Sequence, residues 1–204
     1  DPNSTNPYQL TEADRTVIGN TTPKFSGGFG LNATYKGFDM SMFFNFMYDF
    51  DVLNANKIML TTWADNKENN FLMDIASDKR WRNFDDMGNE IRYSPEVLAE
   101  FNKNATMWNP TSIGRPICMS YAVEDGSFLR LNSATLGYTL PSVWTKKVGL
   151  SKVRFYVSGN NLFTLTGYSG YDPEVNIATG LTPNIDYNRY PRSRTYTFGA
   201  QLTF

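Results

Sequence analysis

Apolar and polar residues alternate with a period of two through several long stretches of the chain. In residues 24–36, KFSGGFGLNATYK, one parity holds Phe25, Gly27, Phe29, Leu31, Ala33 and Tyr35, and the other holds Ser26, Gly28, Gly30, Asn32 and Thr34. Successive side chains of a strand point to opposite faces, so this pattern predicts a β-strand with one apolar side. Gly37 then turns the chain, and the alternation resumes with Phe38, Met40, Met42, Phe44, Phe46 and Tyr48 opposite Asp39, Ser41, Asn45, Asp49 and Asp51. The two strands read as a tight hairpin. Further on, Ala134, Leu136, Tyr138 and Leu140 oppose Ser133, Thr135, Gly137 and Thr139, up to Pro141. Val153, Phe155, Val157 and Gly159 oppose Arg154, Tyr156, Ser158 and Asn160, and TYTFGAQLTF sets Tyr196, Phe198, Ala200, Leu202 and Phe204 against Thr195, Thr197, Gly199, Gln201 and Thr203. One segment breaks the rule. Phe128, Leu129 and Leu131 fall on both faces, which predicts a bulge or a strand rising into a protein-covered zone.

About five long strands follow from this, and their connections alternate between long and short. Residues 1–22 form a loop, 23–51 the hairpin, 52–125 a very long loop, 126–165 two strands joined by a short turn, 166–193 a second sizeable loop and 194–204 the last strand. Within 52–125 a helix is predicted at 94–102: Ser94 suits the N-cap, Pro95 the first helical position, and Val97, Leu98 and Phe101 share a face. In an up-and-down meander, alternate connections lie at the same end of the sheet. All the long loops therefore gather at one end and all the short turns at the other, as in outer-membrane barrels with long extracellular loops and short periplasmic turns. A strand of about ten residues rises roughly 33 Å, and tilted near 45° it spans about 23 Å, close to the apolar band of such barrels. The apolar faces named above carry no charge, and Tyr35, Tyr48, Tyr138 and Tyr196 fall near strand ends, where an aromatic girdle belongs. A β-sandwich alternates in the same way, but its strands are typically shorter, at about five or six residues. The fold class expected is therefore all-β, a transmembrane antiparallel barrel segment, with a secreted carbohydrate-binding sandwich as the alternative.

Composition narrows the chemistry. No run approaches the roughly 18 apolar residues of a membrane-spanning helix. With 19 Lys and Arg against 20 Asp and Glu, and no dense basic stripe, the footprint of a nucleic-acid binder is missing. Histidine is absent, which excludes Ser-His-Asp and Cys-His catalysis and imidazole metal sites from these residues. Cys118 has no second cysteine with which to form an internal disulfide. The start at Asp1, with no signal segment, fits a piece of a longer polypeptide.

Several motifs are weaker than they look. GFGLNA, residues 28–33, matches a dinucleotide-binding pattern that requires a helix to begin there, whereas strand alternation continues. Asp49, Asp51 and Asn54 hint at a calcium loop without its glycine and closing Glu. Asn3, Asn20 and Asn104 begin N-x-S/T triplets, and the pairs Asp85/Asp86 and Glu124/Asp125 read as solvated loop charge. No catalytic, cofactor-binding or metal-ligating residue is assigned. The loop aromatics Trp63, Trp81, Trp108, Tyr168 and Tyr171 are the candidate ligand or partner contacts, since aromatic rings stack on sugars and anchor interfaces.

The order IGNTTPKFSGGFGLNATYKGFDMSMFF, VEDGSFLRLNSATLGYTLP, VRFYVSGNNLFTLTGYSGYDPEV and YPRSRTYTFGAQLTF closely resembles the C-terminal part of the SusC/RagA family, TonB-dependent outer-membrane transporters of Bacteroidetes. The resemblance runs from about residue 14 to 204, loosely over 52–119. It implies the last five or so strands of a 22-stranded plugged barrel in the bacterial outer membrane, importing oligosaccharides or oligopeptides. It further implies as partners a SusD/RagB-like lipoprotein lid, the remainder of the barrel and its plug, membrane lipid, and TonB through a part outside this chain. On the final strand it gives Tyr196, Phe198, Leu202 and Phe204 a role, with an aromatic C-terminal residue as part of the barrel-assembly signal.

Overall fold

The structure, a computed structural model, describes residues 15–62, 70–75, 79–110, 117–175 and 183–204. Its strands are β1 (Phe25–Tyr35), β2 (Phe38–Tyr48), β3 (Asp51–Asn54), β4 (Val123–Asp125), β5 (Phe128–Thr139), β6 (Lys152–Thr166), β7 (Ile185–Asp186) and β8 (Thr195–Thr203). Two compact units divide the chain, one gathering residues 1–52, 123–175 and 189–204 and the other 53–122 and 176–188.

The first unit is built on a five-stranded antiparallel meander in the order β1-β2-β5-β6-β8. These are the five strands that the alternation predicts. Lys36 and Gly37 close the β1–β2 hairpin with φ of 46° and 90°, both left-handed, so the turn twists in the sense that its strands do. The connection from β5 to β6 folds as α3 (Ser142–Thr145) and a further helical turn that ends at Gly149.

Register lines up the apolar positions in rows that run across the sheet. Tyr35, Phe38, Tyr138, Phe155 and Ala200 form one row, and Ala33, Met40, Leu136, Val157 and Phe198 the next. Leu31, Met42, Ala134, Gly159 and Tyr196 follow, then Phe29, Phe44, Leu131 and Phe163. No charged residue enters these rows. Much of this face is open: Leu31 is 51% exposed, Leu136 48% and Phe198 80%. The opposite face is polar, with rows such as Ser41, Thr135, Ser158 and Thr197. There Asp39 of β2 forms a bidentate ion pair with Arg154 of β6, reaching past the intervening strand at Gly137. A β-carbon at Gly137 would stand 2.6 Å from both Arg154 Nε and Asp39 Oδ1, so a larger residue there would push the pair aside.

The irregularity at the start of β5 is a bulge. Ser133 pairs with Phe43 and Leu131 with Phe44, which leaves Asn132 without a counterpart on β2. Such an extra residue reverses the parity of everything before it. Leu129 and Leu131 thereby join the apolar rows of Phe46 and Phe44, while Phe128 and Arg130 turn to the polar face beside Met47 and Asn45. Without the bulge Arg130 would share the face of Ala134 and Leu136. Where this inner face meets the loops, Phe50, Val52, Phe128, Tyr168 and Val175 bury one another, with Met47 packed against them.

In the second unit β3 and β7 pair in parallel through Leu53–Ile185 and Asn54–Asp186, and α1 (Ala55–Met59) follows β3. The predicted helix appears as α2 (Pro95–Asn102), but Ser94 makes no side-chain cap bond. Its apolar side also differs from expectation. Val97 and Phe101 are 42% and 36% exposed, and the buried residue is Asn102. The Asn102 amide explains this: it accepts from the Arg82 N–H at 2.6 Å and donates to the Arg82 and Leu98 carbonyls at 2.9 and 2.8 Å. Polar bonds thus fix this helix, with the Arg82 guanidinium lying over the Phe101 ring.

The bulge makes a direct prediction for the full-length receptor that carries this segment. Deleting Asn132 together with Ser133 removes the bulge and one step more, which turns Arg130 to the apolar face and should abolish the folded, heat-modifiable barrel. Deleting Asn132 leaves a regular alternation and should be tolerated.

Candidate functional site

The polar face and the loops above it carry the chain's organised chemistry. At their meeting point stands Arg130, 2% exposed and aimed inward by the bulge. Its guanidinium engages Asp172 as a fork, Nη1 to Oδ2 at 3.2 Å and Nη2 to Oδ1 at 2.5 Å, and lies over the Phe128 ring. Asp172 belongs to the YDPEV stretch of the loop after β6. Its Oδ1 also accepts the Glu174 N–H at 2.9 Å, which sets the turn around the buried Pro173. Glu174 in turn accepts from Arg192 at 2.6 Å, near the return into β8. One strand arginine thereby ties down both limbs of the loop between β6 and β8.

Burial pushes the Asp172 carboxyl up, but the Arg130 hydrogen bonds and the Glu174 N–H outweigh it and hold the group below its ordinary 3.8. Two charges withdrawn from water gain little net stability as a pair, whereas removing one partner strands the other at about 3–5 kcal/mol. The Arg192–Glu174 pair is more exposed, and such pairs contribute about 0–1 kcal/mol. Asn45 Oδ1, Arg130 Nε and Glu174 Oε2 are buried with no hydrogen-bond partner among the described residues. The cluster therefore holds the loop with less than its full bonding capacity.

The paired carboxylates are not merely solvated charge. Glu124 accepts the Ser169 N–H and hydroxyl at 3.0 and 2.9 Å, and Asp125 accepts those of Ser127 at 2.9 and 2.5 Å. Asp85 takes the N–H groups of Met87 and Asn89 at 2.9 and 2.8 Å, and Asp86 pairs with Arg82. Asp85 and Asp125 set local turns, Glu124 bridges two distant segments and Asp86 forms an exposed ion pair. Asp49 pairs with Lys24, Asp51 accepts the Asn20 N–H at 2.6 Å, and Asn54 caps α1. Among the described residues no three acidic or sulfur side chains are placed to hold a metal ion. GFGLNA runs through the middle of β1, so no helix N-terminus faces it.

Four of the five loop aromatics lie among the described residues. Trp63 and Asn3 lie outside the described residues. Trp81 is 41% and Tyr171 84% exposed. Tyr168, at 6% exposure, belongs to the apolar cluster of the first unit, and the next residue, Ser169, is held by Glu124. Trp108 is half-buried in the second unit, donating to the Thr61 carbonyl at 3.2 Å and meeting Tyr121 edge-on at 5.1 Å. Tyr121 donates to Asp74 at 2.6 Å and carries Lys57 over its ring. On β8, Tyr196, Phe198 and Leu202 stand on the apolar face at 61%, 80% and 52% exposure, and Phe204 follows the strand at 89%. Arg130 escaped the sequence reading. The clue was a charge lying inside the segment whose alternation fails.

Comparison with known proteins bears on this arrangement. The chain is 35% identical over 202 residues to TonB-dependent receptor P3 of Formosa agariphila, covering 96% of this chain and 18% of that protein. It is 38% identical over 88 residues to TonB-dependent receptor SusC of Bacteroides thetaiotaomicron, covering 41% of this chain and 8% of that one. Among solved structures it superposes on the RagAB peptide importer in the closed-closed state with a TM-score of 0.73 and 25% identity, over 96% of this chain and 19% of that one. For the open-open state the TM-score is 0.65 and the identity 26%, over 92% of this chain and 18% of that one. No protein-family profile matches. The chain spans less than a fifth of the length of the relatives and structures it matches.

The loop anchor is open to test by limited proteolysis of the full-length receptor. Arg130→Met or Asp172→Asn should raise cleavage within residues 167–194 by tenfold or more, in line with about 3–5 kcal/mol for a stranded buried charge. Because the Asp172 carboxyl is held low, its contribution is complete above 3.8 and is lost as pH falls through the lower native value. Wild-type protection should therefore weaken progressively as pH falls from 3.8 toward that lower value, and the Asp172→Asn variant should lack this acid transition.

Proposed function

The chain is a SusC/RagA-like β-barrel segment of the bacterial outer membrane, and from that premise we propose that it forms part of the wall of a TonB-dependent importer. The observation that carries the reading is the set of uncharged apolar rows crossing all five strands, open on their outer side. In this reading that face meets lipid and the polar face lines the interior. The Lys36–Gly37 turn and the α3 connection lie on the periplasmic side, and residues 52–125 and 166–193 lie outside the cell. A secreted sandwich would bury such a face against a second sheet, and no observation here favours it.

Within the described residues, β1 and β8 each have one edge without a partner strand. Lipid offers no hydrogen bonds to backbone groups, so those edges pair with other strands of the same barrel. The plug and the segment that engages TonB belong to regions of the receptor outside this chain. The cargo is an oligopeptide or oligosaccharide, passed under a SusD/RagB-like lipoprotein lid. The neighbouring RagAB structure, described as a peptide importer, supports the peptide arm of this reading. This segment supplies wall and loops and takes no part in covalent chemistry.

Charge placement distinguishes the two faces. Leu136→Lys, in the middle of the lipid-facing rows, should cost about 2–4 kcal/mol and sharply reduce heat-modifiable receptor in the outer membrane. Thr135→Lys, one residue away on the interior face, should assemble at wild-type levels. Equal assembly of the two variants would refute the assignment of faces. For the loops, combining Trp81→Ala with Tyr171→Ala should weaken lid co-purification or cargo retention severalfold while leaving the amount of folded barrel unchanged.

A further inference from the structure

The short-turn rim of the sheet carries a feature that the role of transport wall leaves unused. The connection between β5 and β6 exposes Val143, Trp144 and Val148 at 68%, 60% and 70%, although it is a surface turn. It is nonetheless well formed: Thr145 is buried, the Trp144 N–H bonds the Pro141 carbonyl at 3.0 Å, and the Leu150 N–H bonds the Thr145 carbonyl at 3.1 Å. Its apolar residues are thus displayed by an ordered scaffold. Between them stand the exposed Lys146 and Lys147.

The neighbouring hairpin turn lies against this one, since the Thr139 N–H at the end of β5 donates to the Gly37 carbonyl at 2.8 Å. It contributes an exposed third lysine, Lys36, whose ammonium sits 5.2 Å from the Tyr35 ring. Directly inside this rim runs the aromatic row of Tyr35, Phe38, Tyr138 and Phe155, with Phe38 and Tyr138 4.5 Å apart. Acidic side chains are missing from the sequence on either side of these turns. Residues 126–171 contain no Asp or Glu, and neither do residues 15–38. Asp39, which follows the hairpin turn, is on the polar face and already paired with Arg154. Lysines without acidic neighbours, apolar side chains at the same level and an aromatic belt behind them match the boundary between phospholipid headgroups and acyl chains.

We propose that Lys36, Lys146 and Lys147 bind the phosphodiester of an anionic phospholipid at the periplasmic boundary, with Trp144, Val143 and Val148 seated beside its acyl chains. The site rests on the reading of the sheet as an outer-membrane barrel wall and adds to it a preference for headgroup charge. Lysine suits the task as a compact charge able to meet phosphate oxygens from several directions, and attraction of this kind amounts to roughly fivefold in affinity per lysine near a membrane surface.

The experiment uses the full-length receptor purified from outer membranes and native mass spectrometry with equal amounts of phosphatidylglycerol and phosphatidylethanolamine. Wild-type receptor should retain phosphatidylglycerol preferentially. The triple variant Lys36→Gln, Lys146→Gln, Lys147→Gln should lose that preference by on the order of tenfold or more, while the matching triple Arg variant keeps it. Trp144→Ala should lower retention of both lipids alike. A Gln variant that is heat-modifiable, membrane-inserted and still as selective as wild type would overturn the proposal, as would a correctly inserted wild type with no preference. Failure of the wild type to partition into the outer membrane would instead bring down the barrel reading itself.

Discussion

The structure depends on keeping charge off one face of a five-stranded sheet. Inside a sheet the backbone N–H and C=O groups are met by neighbouring strands, so what remains to be sorted is the side chains, and the pleat sorts them by parity alone. A single residue out of step would send a whole half-strand to the wrong side. β5 comes closest to that failure, because Arg130 shares its parity with Ala134 and Leu136. The unpaired Asn132 absorbs the step, delivering Leu129 and Leu131 to the apolar rows and Arg130 to the interior.

That correction also creates the anchor for the loop above. Once turned inward, a guanidinium that would be intolerable in lipid becomes a buried partner for Asp172, and through Glu174 it reaches Arg192 on the returning limb. Arg130 is thus tied to both features: its orientation keeps the lipid-facing rows neutral, and its forked pair holds the loop. On the same polar face the Asp39–Arg154 pair bridges β2 and β6 over Gly137, so strands that are not neighbours are linked where the middle strand has no side chain. Both pairs are drawn from positions that the alternation excludes from lipid.

The two ends of the sheet are chemically unlike. Toward the long loops, carboxylates are numerous and engaged by N–H and hydroxyl groups, as Glu124 with Ser169 and Asp125 with Ser127 show. Toward the short turns, three exposed lysines stand among aromatic and aliphatic side chains with no acid on the apolar side.

The sequence by itself determined the five strands, their tight hairpin, the uncharged face and the segregation of long and short connections, because a period of two is a local property that needs only neighbouring residues. Helix α2 was legible for the same reason, from Ser94 and Pro95. Tertiary structure alone decided which residue forms the bulge, since the break at Phe128 to Leu131 is visible in sequence but the extra residue is defined only by what stands opposite it on β2. It alone decided that Arg130 and Asp172, 42 residues apart, are partners. It also decided that Tyr168 is core while Tyr171 is surface, and that Asn102 rather than the apolar side of α2 is buried. Periodicity assigns a side chain to a face, but burial and pairing in loops depend on contacts between residues far apart in the chain, which no local pattern encodes.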